Sequence, residues 1–359
     1  MIELSILVRV ALATRSPRMG SAWQSMAYHN GVRSRARAKT LARPSARKRL
    51  VMTGGTSGIG RRIVERLLIE RSQWTIILLA RPSLRSEELH ALSDPERLTV
   101  IDADLASLRS TDRACDEVIR FLNSEAIDAL ALNAGVQTVS HDASSADGFE
   151  RAFAVNSLAH FLIVERLKGH MRCGGRIVTT SSEVHDPDAF CLMGIGRARW
   201  QDPMVLADRI RSQEHIASIV DRGEARYCAS KLLNVMHVRH LARELSTIGV
   251  IAFNPSVVPG TEIARDRNWL QQLSWRHVLP ALAPILPGAR SLEQSSSDLL
   301  WLLTEADVQS ISGSYVDGRE VQPGSKDSRD WSKIARAMEV AKSLISKRLH
   351  ANQRTPAKN

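Results

Sequence analysis

The 359-residue chain holds four cysteines, Cys115, Cys173, Cys191 and Cys228, none in a CxxC pair or at ligand spacing from a histidine. That scarcity argues against a disulfide framework and a structural zinc site, and makes reduced, intracellular thiols the expectation. Long apolar runs are missing too: the stretch from Ile2 to Ala13 is too short for a membrane-spanning helix and is interrupted by Arg9. Acids are nearly absent from the first 50 residues, which contain nine Arg, two Lys and only Glu3, for a net charge of +10. The other 309 residues carry 38 basic and 37 acidic side chains, a net of +1, so the overall +11 belongs to the N-terminal end and the body is electrically neutral. A neutral body gives little support to nucleic acid as a partner. Residues 1–47 show no periodic core pattern and read as a basic, disordered extension. Three readings of it stay open: an organelle transit peptide, a polyanion-binding arm, or a leader upstream of a start at Met19 or Met26. The expected location is the cytoplasm, or a plastid or mitochondrion under the transit-peptide reading.

What the chain does have is an ordinary globular composition, 43% hydrophobic and 24% charged, and a regular alternation of elements from residue 48 onward. Short apolar strands are expected at Arg49 to Met52, Thr75 to Leu79, Leu98 to Ile101, Ala129 to Leu132, Arg176 to Thr180, Val250 to Phe253 and near Ser314 to Val316. Amphipathic helices are expected to begin near Gly58, Leu105, Gly148, Ala225 and Ser291, with a last one from about Ser328 to Leu344. Alternation of this kind predicts an α/β fold, a single Rossmann-type doubly wound domain over residues 48–345 with its parallel sheet covered on both faces. Residues 183–224 have no clear place in the alternation and read as an insertion on the sheet's edge. Residues 262–288 form an apolar stretch with Trp269, Trp275, Pro280, Pro284 and Pro287, whose prolines exclude one long helix. Residues 346–359 read as a basic tail.

Two groups of residues carry chemistry. Tyr227 and Lys231, in the run YCASK, are four apart and share a helix face about 6 Å apart along the axis. An ammonium at that distance favours the phenolate and suits the tyrosine to general acid or base work near neutral pH. Thr53 to Gly60 reads TGGTSGIG between the first strand and the first helix. Glycines 54, 58 and 60 let the backbone turn tightly and approach a pyrophosphate, which the helix N-terminus attracts; Thr53, Thr56, Ser57 and Ile59 complete that turn. The spacing is GxxxGxG rather than GxGxxG. The second strand ends in LLAR, and Arg81 stands where an acid would otherwise grip the adenosine ribose, so NADP is preferred over NAD. Asp104 and Leu105 follow the third strand, where they could hold and pack against adenine or else cap the next helix.

TGGTSGIG, Asn133-Ala134-Gly135 after the fourth strand, Asn156 in AVNSLAHF, Ser181-Ser182 after the fifth, and Tyr227 with Lys231 resemble, in order and spacing, the short-chain dehydrogenase/reductase family over residues 48–345. LLAR, DADLASLRS, GSYVDGRE and IARAMEVAKSLI are most similar to its retinol dehydrogenase and protochlorophyllide reductase branch. The resemblance implies that Tyr227 exchanges a proton with the substrate oxygen, that Lys231 lowers its pKa and binds the nicotinamide ribose, that Ser182 holds the carbonyl, and that Asn156 positions a water beside Lys231. It also implies cofactor contacts from Asn133, Ala134, Gly135, Pro255, Val258 and Thr261. Two departures stand out: 45 positions separate Ser182 from Tyr227, and Ser256 replaces the glycine expected after Pro255, with Thr261 one place late. Residues 183–224 would then cap the substrate cleft and residues 262–288 would close over it as a lid, favouring an apolar or aromatic substrate. A packed core or dimer surface would have the same composition.

The function expected is therefore an NADPH-dependent carbonyl reductase or alcohol dehydrogenase acting on a lipophilic small molecule. A C=C reductase of the protochlorophyllide reductase type is the enzyme alternative, and a non-catalytic nucleotide-sensing Rossmann protein the alternative of another class. No metal is expected, since His141, His160, His185, His215 and His237 form no ligand set with nearby acids, and His185 reads as a solvated loop residue. A homodimer or homotetramer is expected through the helices beginning near Gly148 and Ala225.

Overall fold

The computed structural model describes residues 47–92, 94–137, 144–189, 198–207, 219–261, 275, 280, 286 and 288–351, the side chains of 95, 219–222 and 351 excepted. These residues all belong to the compact unit Ala46–Asn359. Strands β1 (Lys48–Thr53), β2 (Trp74–Ala80), β3 (Leu98–Asp102), β4 (Ile127–Leu132), β5 (Met171–Thr180), β6 (Gly249–Asn254), β7 (Tyr315–Asp317) and β8 (Glu320–Gln322) form one sheet in the order β3-β2-β1-β4-β5-β6-β7-β8. The first seven are parallel, and β8 runs antiparallel to β7. Strand order reverses between β1 and β4, which opens a crevice at their carboxyl ends.

Period-two side-chain projection explains the two-sided core. In β1, Val51 packs on one face with Ala114, Cys115 and Val118 of α3 (Leu108–Leu122), Ile163 of α5 (Ala159–Leu167) and Val238 of α7 (Ile219–Glu244). Its neighbours Leu50 and Met52 pack on the other, with Ile63, Val64 and Leu67 of α1 (Gly58–Glu70) and Leu299 and Leu302 of α8 (Leu292–Thr304). Burial pushes the Cys115 thiol up to about 12, so it packs as an apolar side chain. A third cluster docks α9 (Trp331–Ala351) on α7 through Ile334, Ala337 and Met338 against Leu232 and Met236.

Several boundaries differ from the sequence reading. The helix expected near Leu105 begins at Leu108, because Ser107 accepts the Ser110 N–H as its N-cap. The helix carrying Tyr227 starts at Ile219, inside the stretch read as insertion, and holds Gly223 in its first turns. Helix α9 runs to Ala351, beyond the expected end at Leu344, because Leu349 still packs on the third cluster and Arg348 pairs with Asp147. Helix α2 (Leu84–His90), closed by a Ser83–Ser86 capping box, and the short exposed strand β8 were not anticipated. Between α4 (Arg151–Phe153) and α5, residues Ala154–Leu158 form a π turn. Of the apolar stretch 262–288, residues 262–274, 276–279, 281–285 and 287 lie outside the described residues, as do 190–197 and 208–218 of the insertion, and so do Cys191, His141 and His215.

His160 and His237 are fully buried, and burial lowers both imidazoles to about 3. The folded state thus binds fewer protons than the unfolded chain between about pH 6.5 and 3, so this contribution is whole above 6.5 and is lost as pH falls. Each histidine is expected to cost about 2 kcal/mol at pH 5 relative to neutrality. Denaturant titrations at pH 7 and pH 5 measure the loss, and His237→Gln should shrink it by about 2 kcal/mol; an unchanged difference would show that His237 carries no such cost.

Candidate active site

The crevice is a cleft of about 760 Å³. Its floor is the turn after β1. Gly54 has φ +68°, and a Cβ there would lie 2.7 Å from the Ala134 backbone; at Gly60 it would lie 2.0 Å from the Gly54 carbonyl oxygen. Only glycine lets β1, α1 and the loop after β4 approach so closely. Asn133 ties the layer together, donating from Nδ2 to the Gly54 carbonyl (3.0 Å) and accepting on Oδ1 from the Thr180 hydroxyl (3.1 Å). The N-terminus of α1 has neither a capping side chain on its N–H groups nor an acid in its first turn. Positive helix-end potential and close backbone approach fit a pyrophosphate-bearing nucleotide.

Tyr227, Lys231 and Ser182 all line this cleft. Lys231 is buried, its Nζ 5.5 Å from the Tyr227 ring centroid and donating to the Thr180 carbonyl at 3.0 Å. Burial lowers its ammonium to about 8. Ser182 donates from Oγ to Glu183 Oε2 at 3.0 Å, whereas Ser181 turns away and donates to the Lys231 carbonyl at 2.9 Å. Burial raises the Glu183 carboxyl above the ordinary range. Asn156 does not line the cleft but stands behind it in the π turn. It accepts from the Val136 N–H at 2.8 Å and donates from Nδ2 to the Val136 carbonyl and Ser230 Oγ, both at 3.0 Å. A Cβ on Gly135 would lie 3.5 Å from Lys231 Nζ and 3.8 Å from Asn156 Oδ1, so both polar groups look onto one glycine.

Among the expected cofactor contacts, Gly54, Thr56, Ser57, Gly58, Ile59, Arg81, Asp104, Leu105, Asn133, Ala134, Gly135, Pro255, Val258 and Thr261 also line the cleft. Thr53 and Gly60 do not. Thr53 is fully buried, its hydroxyl accepting from the Ala134 N–H at 3.1 Å, and Gly60 packs under Gly54. Their part is to shape the floor. Arg81 is exposed at the end of β2, without a hydrogen bond or ion pair among the described residues. Asp104 accepts from the Ala106 N–H at 3.0 Å in a turn ahead of α3, so the helix-cap alternative does not hold. Thr261 donates to the Val258 carbonyl at 2.9 Å, and its own carbonyl accepts from Trp275 Nε1 at 2.8 Å. Ser256 sits at φ +62°, a left-handed conformation that glycine adopts freely; its hydroxyl donates to Asp317 at 3.2 Å.

His185 is buried rather than solvated. Its Nε2 accepts from the Ser325 N–H at 3.2 Å, which leaves the proton on Nδ1 to donate to the Ser182 carbonyl at 2.7 Å. The ring therefore anchors the Ser182 loop to the segment before α9. Sequence reasoning missed Gln137, Arg151, Glu183 and Trp275 as cleft-lining residues. A carboxylate directly after Ser182 was the only visible signal among them.

Fold and cleft together define a Rossmann-type nucleotide-binding α/β protein. The short chain dehydrogenase family model matches residues 48–189. A short-chain dehydrogenase of Talaromyces variabilis is 27% identical, the alignment covering 79% of this chain and 92% of that protein. Retinol dehydrogenase 12 of Mus musculus is 30% identical, with 75% of this chain and 77% of that protein covered. The crystal structure of a short-chain dehydrogenase/reductase from Brucella melitensis shares the fold with a TM-score of 0.54 at 22% identity, over 76% of this chain and 95% of that one. The chain belongs to the short-chain dehydrogenase/reductase family, NAD(P)-dependent oxidoreductases acting between carbonyls and alcohols, and to its retinol dehydrogenase-like branch.

Proposed function

We propose that this protein is an NADPH-dependent oxidoreductase that interconverts a carbonyl and an alcohol on a lipophilic small molecule, with Tyr227 as the general acid and base. The observation that carries the reading is the convergence of Tyr227, Lys231 and Ser182 on one cleft with the glycine turn of β1. The turn and the N-terminus of α1 would hold the cofactor's pyrophosphate, and the nicotinamide supplies or accepts the hydride. Ser182 would swing its hydroxyl proton from Glu183 to the substrate oxygen, and Tyr227 would give that oxygen its proton. Lys231, held by the Thr180 carbonyl, would stabilise the phenolate left behind. Asn156 fixes the Val136 backbone beside Lys231 and so positions the proton route without touching substrate. Val136, Val155, Val184 and Trp275 give the cleft apolar walls, and relatives named retinol dehydrogenase bear a name that specifies a lipophilic alcohol.

Arg81 supports the phosphate-bearing cofactor: an exposed guanidinium at the end of β2, unpaired among the described residues, suits a 2′-phosphate. Purified protein should reduce lipophilic aldehydes or ketones faster with NADPH than with NADH. In Arg81→Asp the KM for NADPH is expected to rise roughly tenfold or more, as when one charge-assisted hydrogen bond is removed, and the preference to collapse. A wild-type enzyme indifferent to the two cofactors would overturn the assignment.

A further inference from the structure

Two polar side chains in the cleft have no part in the chemistry above. Gln137 is 4% exposed, and its Nε2 is buried with no hydrogen-bond partner among the described residues. Arg151, at the first turn of the helix leading to Asn156, has a buried Nε in the same condition and no ion pair among the described residues. Both line the cleft. The acids nearest Arg151 in sequence are engaged elsewhere. Glu150 accepts from the Ala152 and Phe153 N–H groups at 2.9 and 2.7 Å, and Asp147 accepts from the Leu108 N–H at 2.7 Å and pairs with Arg348.

The two side chains also belong to one wall. Asn156 pins Val136 through both its backbone groups, Gln137 follows Val136 directly, and Arg151 stands about one turn before Val155, another cleft residue. The rest of that wall, Val136 and Val155, is apolar. A purely hydrocarbon substrate would leave a guanidinium N–H and an amide N–H desolvated against it, at a cost of about 1–3 kcal/mol each. A carboxylate accepts from both donors and answers the charge. Glu183 lies at the Ser182 end of the cleft, so an anionic substrate is repelled there and drawn to Arg151, which points its other end, the carbonyl, toward Tyr227.

We propose that Arg151 and Gln137 form a carboxylate subsite, and that the substrate is an apolar or aromatic carbonyl compound bearing a carboxylate away from the reacting carbon. The inference rests on the carbonyl-reductase reading and narrows its substrate class. It is tested with the NADPH complex and the matched probes 3-benzoylpropionate and methyl 3-benzoylpropionate. Wild type should turn over the acid with a kcat/KM roughly tenfold or more above the ester, the size of one charge-assisted hydrogen bond. In Arg151→Leu the ratio should fall to about one through KM, Arg151→Lys should restore part of it, and Gln137→Leu should lower it less. Thermal shifts of the NADPH complex keep the two readings apart: without turnover of either probe the reaction fails, while acid-selective stabilisation that vanishes in Arg151→Leu upholds the subsite. A wild type that does not discriminate acid from ester overturns the proposal, as does full discrimination retained in Arg151→Leu. Weakened NADPH affinity in Arg151→Leu also overturns it, because the guanidinium then serves the cofactor.

Discussion

Tyr227→Phe is expected to lower kcat/KM for carbonyl reduction by roughly a hundredfold or more, the range spanned by a positioned general acid. The change deletes one oxygen and keeps the ring, which packs in the α7–α9 cluster with Phe153, Leu232 and Ile334. Stability should therefore hold while turnover collapses, and NADPH binding should survive. Steady-state kinetics on a reactive aldehyde, beside a cofactor-binding titration, separate the effects. Undiminished kcat/KM across several carbonyls would remove Tyr227 from the chemistry.

Lys231→Met should separate activity from stability in the opposite way. Burial holds the ammonium at about 8 against an ordinary 10.5, so the folded state is the poorer proton binder. The cost is present at all pH values below about 8 and is relieved as pH rises toward 10.5; at neutrality it is about 3 kcal/mol. Methionine fills nearly the same volume without a charge. The Thr180 carbonyl is not orphaned by the change, because Asn234 Nδ2 also donates to it at 3.2 Å. Cofactor-free Lys231→Met is thus expected to be more stable than wild type at pH 7 by about 2 kcal/mol, with the advantage fading at pH 10. Its turnover should fall at least as far as that of Tyr227→Phe. Equal or lower stability at pH 7 would show that the buried ammonium carries no such cost.

Much of the molecule was legible because it repeats. Each of the seven expected strands is present, since residues such as Leu50, Val51 and Met52 bury both faces and leave a continuous apolar run. The glycine turn was legible for a different reason: no other residue type permits the close approaches at Gly54 and Gly60. Where local signals were weak, tertiary packing decided. Helix α7 continues N-terminally through Gly223 to Ile219, and His185 is buried by the Ser325 segment, 140 positions away. Arg151 and Gln137 were invisible to sequence reasoning, because an arginine and a glutamine become notable only when folding leaves their N–H groups buried without acceptors. The signal lies in what their neighbours already hold.

The π turn at Ala154–Leu158 has a bearing on chain length. A π turn is an α-helix with one residue inserted, so shortening Ala154–Leu158 by one residue should restore regular helix rather than break it. Everything beyond the deletion would then rotate about 100° around the axis, the angle of one residue. His160 would leave the Thr53 hydroxyl, 3.2 Å from its Nε2, and Phe161 would leave the His237 ring on which it stacks. At this point the count of residues, more than their identity, sets which side chains reach the cleft, and a gap of one is a larger change than most substitutions.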